Sequence, residues 1–232
     1  MKLYQALSGA AFLSLPCVFA SENPSHIRVQ TLLVEMPHTT YTTLLTQPLA
    51  PPVHQSTQAL IREKKARIIN SEIVIASSGQ KATIESIHEF ISPTEVQGSG
   101  ISGSFTQQDT RLQNHVAAGF RYHSPAFETR NVGSTLEIEP TIAGNYIDLR
   151  FVPEWISMPR ITTFMTFKDR WGNADIKMPE FFTIRATTAV TLANNQYLHV
   201  STHTPLDAQG KSDPSRKLLL FVKATIIHPA LP

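Results

Sequence analysis

Alternation of apolar and polar positions dominates this chain, and alternation at a period of two points to strands. From His26 to Glu35, residues Ile27, Val29, Thr31 and Leu33 share one face. Leu32 and Val34 share the other, so burial on both sides is expected towards the end of that strand. Pro37, Pro48, Pro51 and Pro52 then break up a Thr- and Pro-rich stretch in which no helix is expected. Ser56 or Thr57 is expected to cap a short helix from Gln58 to Ala66, the one helix in this reading. Arg67 to Ala76 and Lys81 to Ile91 read as two strands around a Ser77-Ser78-Gly79-Gln80 turn. From Ser92 to about Gly119 the chain turns Ser-, Gly- and Gln-rich, as in a long flexible loop.

Order resumes at Phe127. Ser134 to Pro140 and Tyr146 to Val152 alternate around Ala143-Gly144-Asn145, the pattern of a hairpin. Trp155 to Pro179 is less regular, with turns at Pro159 and Trp171-Gly172-Asn173. A second hairpin is expected from Phe181 to Leu192 and Tyr197 to His203, around Asn194-Asn195, residues that tolerate positive φ. After a polar loop with Pro205, Gly210 and Pro214, Arg216 to His228 forms an apolar terminal strand. The expected fold is mainly β: antiparallel strands and hairpins with one short helix.

Composition agrees. The 232 residues include 24 Thr, 19 Ile and 12 Val, β-branched types that lose rotamer freedom in helices and pack well on sheets. Charged residues are 16%, below the ~25% usual in soluble domains. A formal net charge of +2 speaks against an extended nucleic-acid-binding surface, which needs clustered Lys and Arg.

Residues 1–20 read as a secretory signal: Lys2, an apolar run from Leu7 to Leu15, and small residues at Val18 and Ala20 before a cut after Ala20. That run is shorter than the ~20 residues needed to span a bilayer. Lipid modification at Cys17 is the alternative, but Pro16 stands where a small residue is expected. Cleavage after Ala20 removes the single cysteine, so the mature chain, residues 21–232, has neither thiol nor disulfide. Export to the periplasm or outer membrane is the expected fate.

Little in the chain argues for catalysis. Gly98, Gly100 and Gly103 match G-x-G-x-x-G, but Pro93 lies upstream and no convincing helix follows, so a flexible glycine loop is the better reading. His199 and His203 are four apart, which on a strand separates them by ~13 Å, too far for one metal ion. Glu137 and Glu139 share a strand face, where a solvated surface is the default reading. Arg62, Lys64 and Lys65 read as a solvated helix face rather than a binding patch. No catalytic, cofactor-binding or metal-binding residue is assigned, and no enzyme activity is expected.

Several segments do resemble a known family. Asn131 to Ile142, with Val132, Gly133, Thr135, Leu136 and Pro140, is similar to the VGTTLEVTPTI segment of bacterial secretins, the outer-membrane channels of type II and type III secretion and pilus systems. Tyr146 to Glu154, with Pro153, resembles their next strand, I-x-L-x-x-x-P-E. Thr187 to Gln196 is similar to STSVTVPDGQ, with Asn194-Asn195 for Asp-Gly and Gln196 in common. Leu218 to Ile227 is similar to the closing ELLIFITPRII strand, and Ile27 to Glu35 and Ala59 to Ile91 resemble the opening strand, helix and strand pair more loosely. All occur in the family's order.

The departures are equally specific. In this reading the signal is followed at once by the first strand, where secretins usually carry several small periplasmic domains. Few residues separate Leu45 from Ala59, where the family inserts a long gate hairpin. Thr204 to Arg216 is a short polar loop in place of an apolar membrane-insertion segment. The resemblance implies a secretin-like β core over residues 21–232, with the glycines 98, 100 and 103 in a gate remnant within 92–119. It further implies homo-oligomerisation, other envelope secretion components or the outer membrane as partners, and no nucleic acid and no cofactor. The alternative is a soluble periplasmic adaptor that keeps the fold without a pore.

Overall fold

The computed structural model describes residues 25–46, 52–97, 124–166, 168–169, 172–173 and 175–228. The signal reading at 1–20, Cys17 and the glycines 98, 100 and 103 lie outside the described residues. Strand β1 (His26–Pro37) leads into helices α1 (His38–Thr46) and α2 (Val53–Arg62), then β2 (Arg67–Ser77) and β3 (Ala82–Gln97). The long strands β4 (Ser124–Ala143) and β5 (Tyr146–Met165) follow, with two short pieces β6 (Lys168–Asp169) and β7 (Gly172–Asn173). The chain continues through β8 (Ile176–Arg185), β9 (Thr188–Ala193), β10 (Tyr197–His203) and β11 (Arg216–Ile227).

These strands build two antiparallel sheets. Sheet A has the order β10-β11-β1-β2; sheet B has the order β3-β4-β5-β8, with β9 also pairing β5. The first and last described strands are central neighbours, His26 opposite Ile227 through to Pro37 opposite Arg216. Strands β9 and β8 lie end to end along one side of β5, β9 against Tyr146 to Phe151 and β8 from Glu154 onwards.

Alternation on β1 decides the layers. Ile27 and Val29 meet Leu136, Ile138, Leu149 and Phe151 of sheet B, forming a sandwich core. On the opposite face Leu32, Val34 and Met36 pack with Leu219 and Phe221 under the helices, through Tyr41, Leu44, Leu60 and Ile61. Burial on both sides of β1 is therefore as its pattern required. Fully burying each such aliphatic or aromatic side chain is worth about 1.5–3 kcal/mol, so this double face anchors three layers: helices, sheet A, sheet B.

Four expectations need correction. Helix α1 occupies the stretch read as non-helical, because Pro37 and Pro48 flank the run His38–Thr46 and none interrupts it. Its threonines tolerate the helix by turning their hydroxyls back onto carbonyls one turn earlier: Thr42 to His38, Thr43 to Thr39 and Thr46 to Thr42, at 2.9–3.0 Å. There are thus two helices, not one. Helix α2 begins at Val53 with Pro52 in the cap position, where a fixed φ costs little, and ends at Arg62. Thr57 lies inside it, buried, donating to the Val53 carbonyl at 2.8 Å.

Third, strand β3 continues to Gln97, so the expected loop loses its first residues, and β4 begins at Ser124, ahead of Phe127, in a ladder that pairs Gln97 with Ser124. The less regular stretch after Trp155 is likewise mostly strand, β5 running to Met165 with an irregularity between Ser157 and Arg160 that absorbs Pro159. Fourth, Phe181 to Leu192 is two strands, and β9 and β10 are not a hairpin. Asn195 does adopt φ +65° and the Gln196 amide does donate to Ala193 at 3.2 Å. The strands then part to different sheets: Asn195 N donates to Ala224 O at 2.9 Å, and Asn194 Oδ1 accepts from Ile226 N at 3.0 Å. The turn is an arch between sheets. Ser78 and Gly79 make a second arch, from β2 to β3.

Candidate functional site

All but Gln196 of the residues that carried the sequence resemblance lie on β4 and β5 of sheet B. Leu136 is fully buried in the sandwich, and Thr135 and Val132 flank it on β4. Gly133 has φ +136°, and a Cβ there would stand 2.1 Å from the carbonyl oxygen of Ser86 on the neighbouring strand. Only glycine permits this approach of β3 to β4. Gln196 closes the β9–β10 arch through its backbone amide.

Pro140 and Pro153 sit inside a sheet, which proline ordinarily disrupts. Pairing of β3 with β4 starts at Ala82 opposite Ile138, so at Pro140 no β3 residue is alongside. Its carbonyl instead accepts the Gly79 amide at 2.7 Å. Pro153 falls between the end of β9 at Phe151 and the start of β8 at Glu154, and its carbonyl accepts from Ala186 at 3.2 Å. Each missing N–H therefore falls where the ladder has no strand to receive it.

Beyond Gly133 the long strands of sheet B extend past the sandwich. This far half exposes large apolar side chains: Phe164 is 68% exposed, Ile91 64% and Phe127 63%, with Ile87, Ile161 and Met165 also open. Its outer strands are β3 and β8, each with one side unpaired among the described residues. With four strands in alternating direction, β8 runs antiparallel to β3.

Charge distinguishes those two edges. Strand β3 carries Glu85 and Glu89, and β8 carries Lys177 and Arg185, all exposed. Register across the sheet aligns Glu85 with Thr135, Thr135 with Glu154 and Glu154 with Arg185, so Glu85 and Arg185 hold opposite ends of one row. The sequence reading missed these edges. The alternating run from Thr83 to Ile91 was its available signal, but which strands would be outermost depends on pairing far along the chain.

Where the sheets splay apart, a cleft of about 410 Å³ opens between Trp155 and Phe182 on sheet B and Leu218 and Ile69 on sheet A. At its rim the nearly buried Glu35 carboxylate accepts from Arg67 Nε at 2.8 Å and from Arg216, which also holds Asp213 at 2.6 Å. The Ser215 hydroxyl and Arg216 bring Asp213 down to about 2. On the loop from Thr204 to Ser215, Gly210 packs against the bidentate Arg160–Glu180 pair, at 2.7 and 2.8 Å.

Glu72 of β2 faces the sandwich interior. Thr31 donates to one oxygen at 3.4 Å, while the other is buried without a protein partner among the described residues. Burial pushes its pKa up, and the nearby Ser134, Thr31 and Asn70 side chains oppose that rise. Each remaining candidate has a local partner. Glu137 pairs with Lys81 at 2.7 Å and Glu139 with Arg150 at 3.9 Å. His199 and His203 bond to Thr202 and Ser201 at 3.0 and 2.9 Å. Among the described residues no group of three or more His, Cys, Asp or Glu could share a metal ion, and no helix is long and apolar enough to cross a membrane.

No protein-family model matches the chain, and no curated protein matches its sequence. Solved structures do. The secretin domain β-barrel of InvG from the Salmonella SPI-1 injectisome is 10% identical with a TM-score of 0.45, the match covering 90% of this chain and 64% of that one. The type II secretion system secretin GspD of Escherichia coli is 11% identical with a TM-score of 0.43, covering 89% and 51%. The type IV competence pilus secretin PilQ of Vibrio cholerae is 13% identical with a TM-score of 0.43, covering 90% and 63%. The chain thus spans about half to two thirds of the length of these structures. Over about nine-tenths of its own length it is similar to solved secretins, the family whose segments its sequence resembles.

Proposed function

We propose that the chain is an exported envelope protein that assembles with copies of itself, β8 of one subunit pairing with β3 of the next. The resulting ring would act in protein secretion as an outer-membrane channel or a channel-associated scaffold. The observation that carries this reading is the far half of sheet B: two unpaired edges of compatible direction, complementary charge and exposed apolar faces. Pairing the edges head to tail closes a ring and removes them from water, which is the usual resolution of open strand edges. The collinear sequence segments support the same assignment. No catalytic role is part of it.

A second reading is a soluble periplasmic adaptor with the same fold and no pore. The loop from Thr204 to Ser215 favours it, since Asp207, Lys211 and Asp213 occupy the place of an apolar insertion segment. Negative-stain microscopy and detergent fractionation of the purified protein separate the two. Rings that partition into detergent support the channel, and a strictly monomeric, water-soluble product overturns it. Charge exchange tests the edges themselves: Glu85→Arg or Arg185→Glu alone weakens assembly, and the two together restore it.

A further inference from the structure

The sheet A edge formed by β2 is separate from the edges just described and has its own character. Its 11 residues contain no proline, and its outer side is unpaired among the described residues. On the face shared with the helices it exposes Ile68, Ile73 and Ile75, about half open each. Beside Ile68 a groove of about 280 Å³ runs between α2 and the sheet, walled by Val34, Ile61 and Phe221 and edged by Arg62. His54 also lines it; its ring stacks on Tyr197 at 3.6 Å, and its Nε2 is buried without a hydrogen-bond partner among the described residues.

The charges around this face that lack an ion-pair partner among the described residues are of one sign. Glu63 is neutralised by Lys65 at 2.9 Å, and Arg67 by Glu35 at 2.7 Å. Arg62, Lys64 and Arg28 are exposed and make no ion pair among the described residues. Lys64, held at φ +59° just beyond the α2 terminus, and Arg62 stand at one end of β2, and Arg28 lies opposite Ile75 near the other. Three unneutralised cations thus bracket a strand edge, an apolar stripe and a groove.

We propose that this surface docks an extended acidic segment of a partner protein, added as a strand to β2. Main-chain hydrogen bonds to the free edge supply affinity in such strand addition, and alternate side chains select the sequence. An apolar side chain of the added strand enters the groove beside Ile68, and acidic residues flanking it meet Arg62, Lys64 and Arg28.

The full chain can be tested with a synthetic 11-residue peptide matched to the length of β2, with valines at its central positions and glutamates at both ends, so that apolar and acidic side chains share the face towards Ile73. Its valine–lysine counterpart and phosphatidylglycerol vesicles serve as alternatives. Amide hydrogen exchange over residues 67–77 should slow on adding the acidic peptide and not on adding the basic one. Arg62→Glu with Lys64→Glu should weaken binding by about tenfold or more. Ile73→Thr, at an exposed position, should weaken it while leaving the melting temperature unchanged; if either variant melts lower, Arg28→Glu replaces it. No protection by the acidic peptide, equal protection by the basic one, or protection by vesicles alone would overturn the proposal.

Discussion

Replacing Gly133 by alanine should damage this fold far more than the loss of one hydrogen atom suggests. Two effects combine. Its φ of +136° lies where residues with a Cβ are strained, at a cost of order 1–3 kcal/mol. The added Cβ would also stand 2.1 Å from Ser86 O and 3.0 Å from Ile87 Cα, both backbone atoms of β3. Neither can rotate away, so the strands must separate by about an ångström, weakening the ladder on either side of Gly133. Losing one or two backbone hydrogen bonds at about 0.5–1.5 kcal/mol each brings the sum to about 1.5–6 kcal/mol. That is a large part of the ~5–15 kcal/mol stability typical of domains.

Gly144→Ala supplies the control. Gly144 has φ +64° in the β4–β5 turn, but a Cβ there meets nothing within 4 Å. Conformational strain alone then predicts about 1–2 kcal/mol. Urea denaturation of both variants, followed by circular dichroism, reads the difference. Equal losses for the two, or a loss below about 1 kcal/mol at Gly133, would refute the argument that β3 and β4 approach too closely for a side chain.

Glu72 and Asp213 predict opposite responses to pH. The Glu72 carboxyl has a raised pKa in the folded protein, so the folded state holds its proton more tightly than the unfolded state does. Its favourable contribution is complete below the unfolded value and is lost as pH rises through the folded one. Glu72→Gln should therefore gain stability relative to the parent as pH rises above the ordinary carboxyl value of 4.5, as read by urea melts from acid to neutral pH; a constant difference would contradict it. Asp213, lowered to about 2, contributes above its unfolded value near 4 and loses that contribution as pH falls towards 2. Asp213→Asn should abolish that part of the acid dependence, and direct NMR titration of the carboxyl carbon should find the low value; a midpoint near 4 would refute the assigned hydrogen bonds.

Local pattern was enough where a strand's environment follows from its own side chains. The two-faced burial of β1 is one case, and the β4–β5 hairpin around Gly144 is another. It failed where the deciding contact lies far away. Asn194-Asn195 has the chemistry of a hairpin turn, yet that chemistry suits an arch equally well; amide and carbonyl partners on β11, some 30 residues on, decide between them. Threonine-rich α1 has poor helix propensity and is secured by packing against β1 and β11. The prolines at 140 and 153 are legible as motif residues, but their harmlessness depends on where neighbouring strands stop. Edge strands are harder still, since an edge is defined by what does not pair with it.

The pairing of β1 with β11 also sets a timetable. A chain emerging N-terminus first makes β1 long before residues 216–227 exist to lie beside it. At ~5–20 residues per second that interval is ~10–40 s. Throughout it, the apolar faces of β1 lack their central partner, and helices and β2 can cover them only in part. Sheet A is completed by the last strand to arrive, so this molecule stays open during its synthesis and closes late.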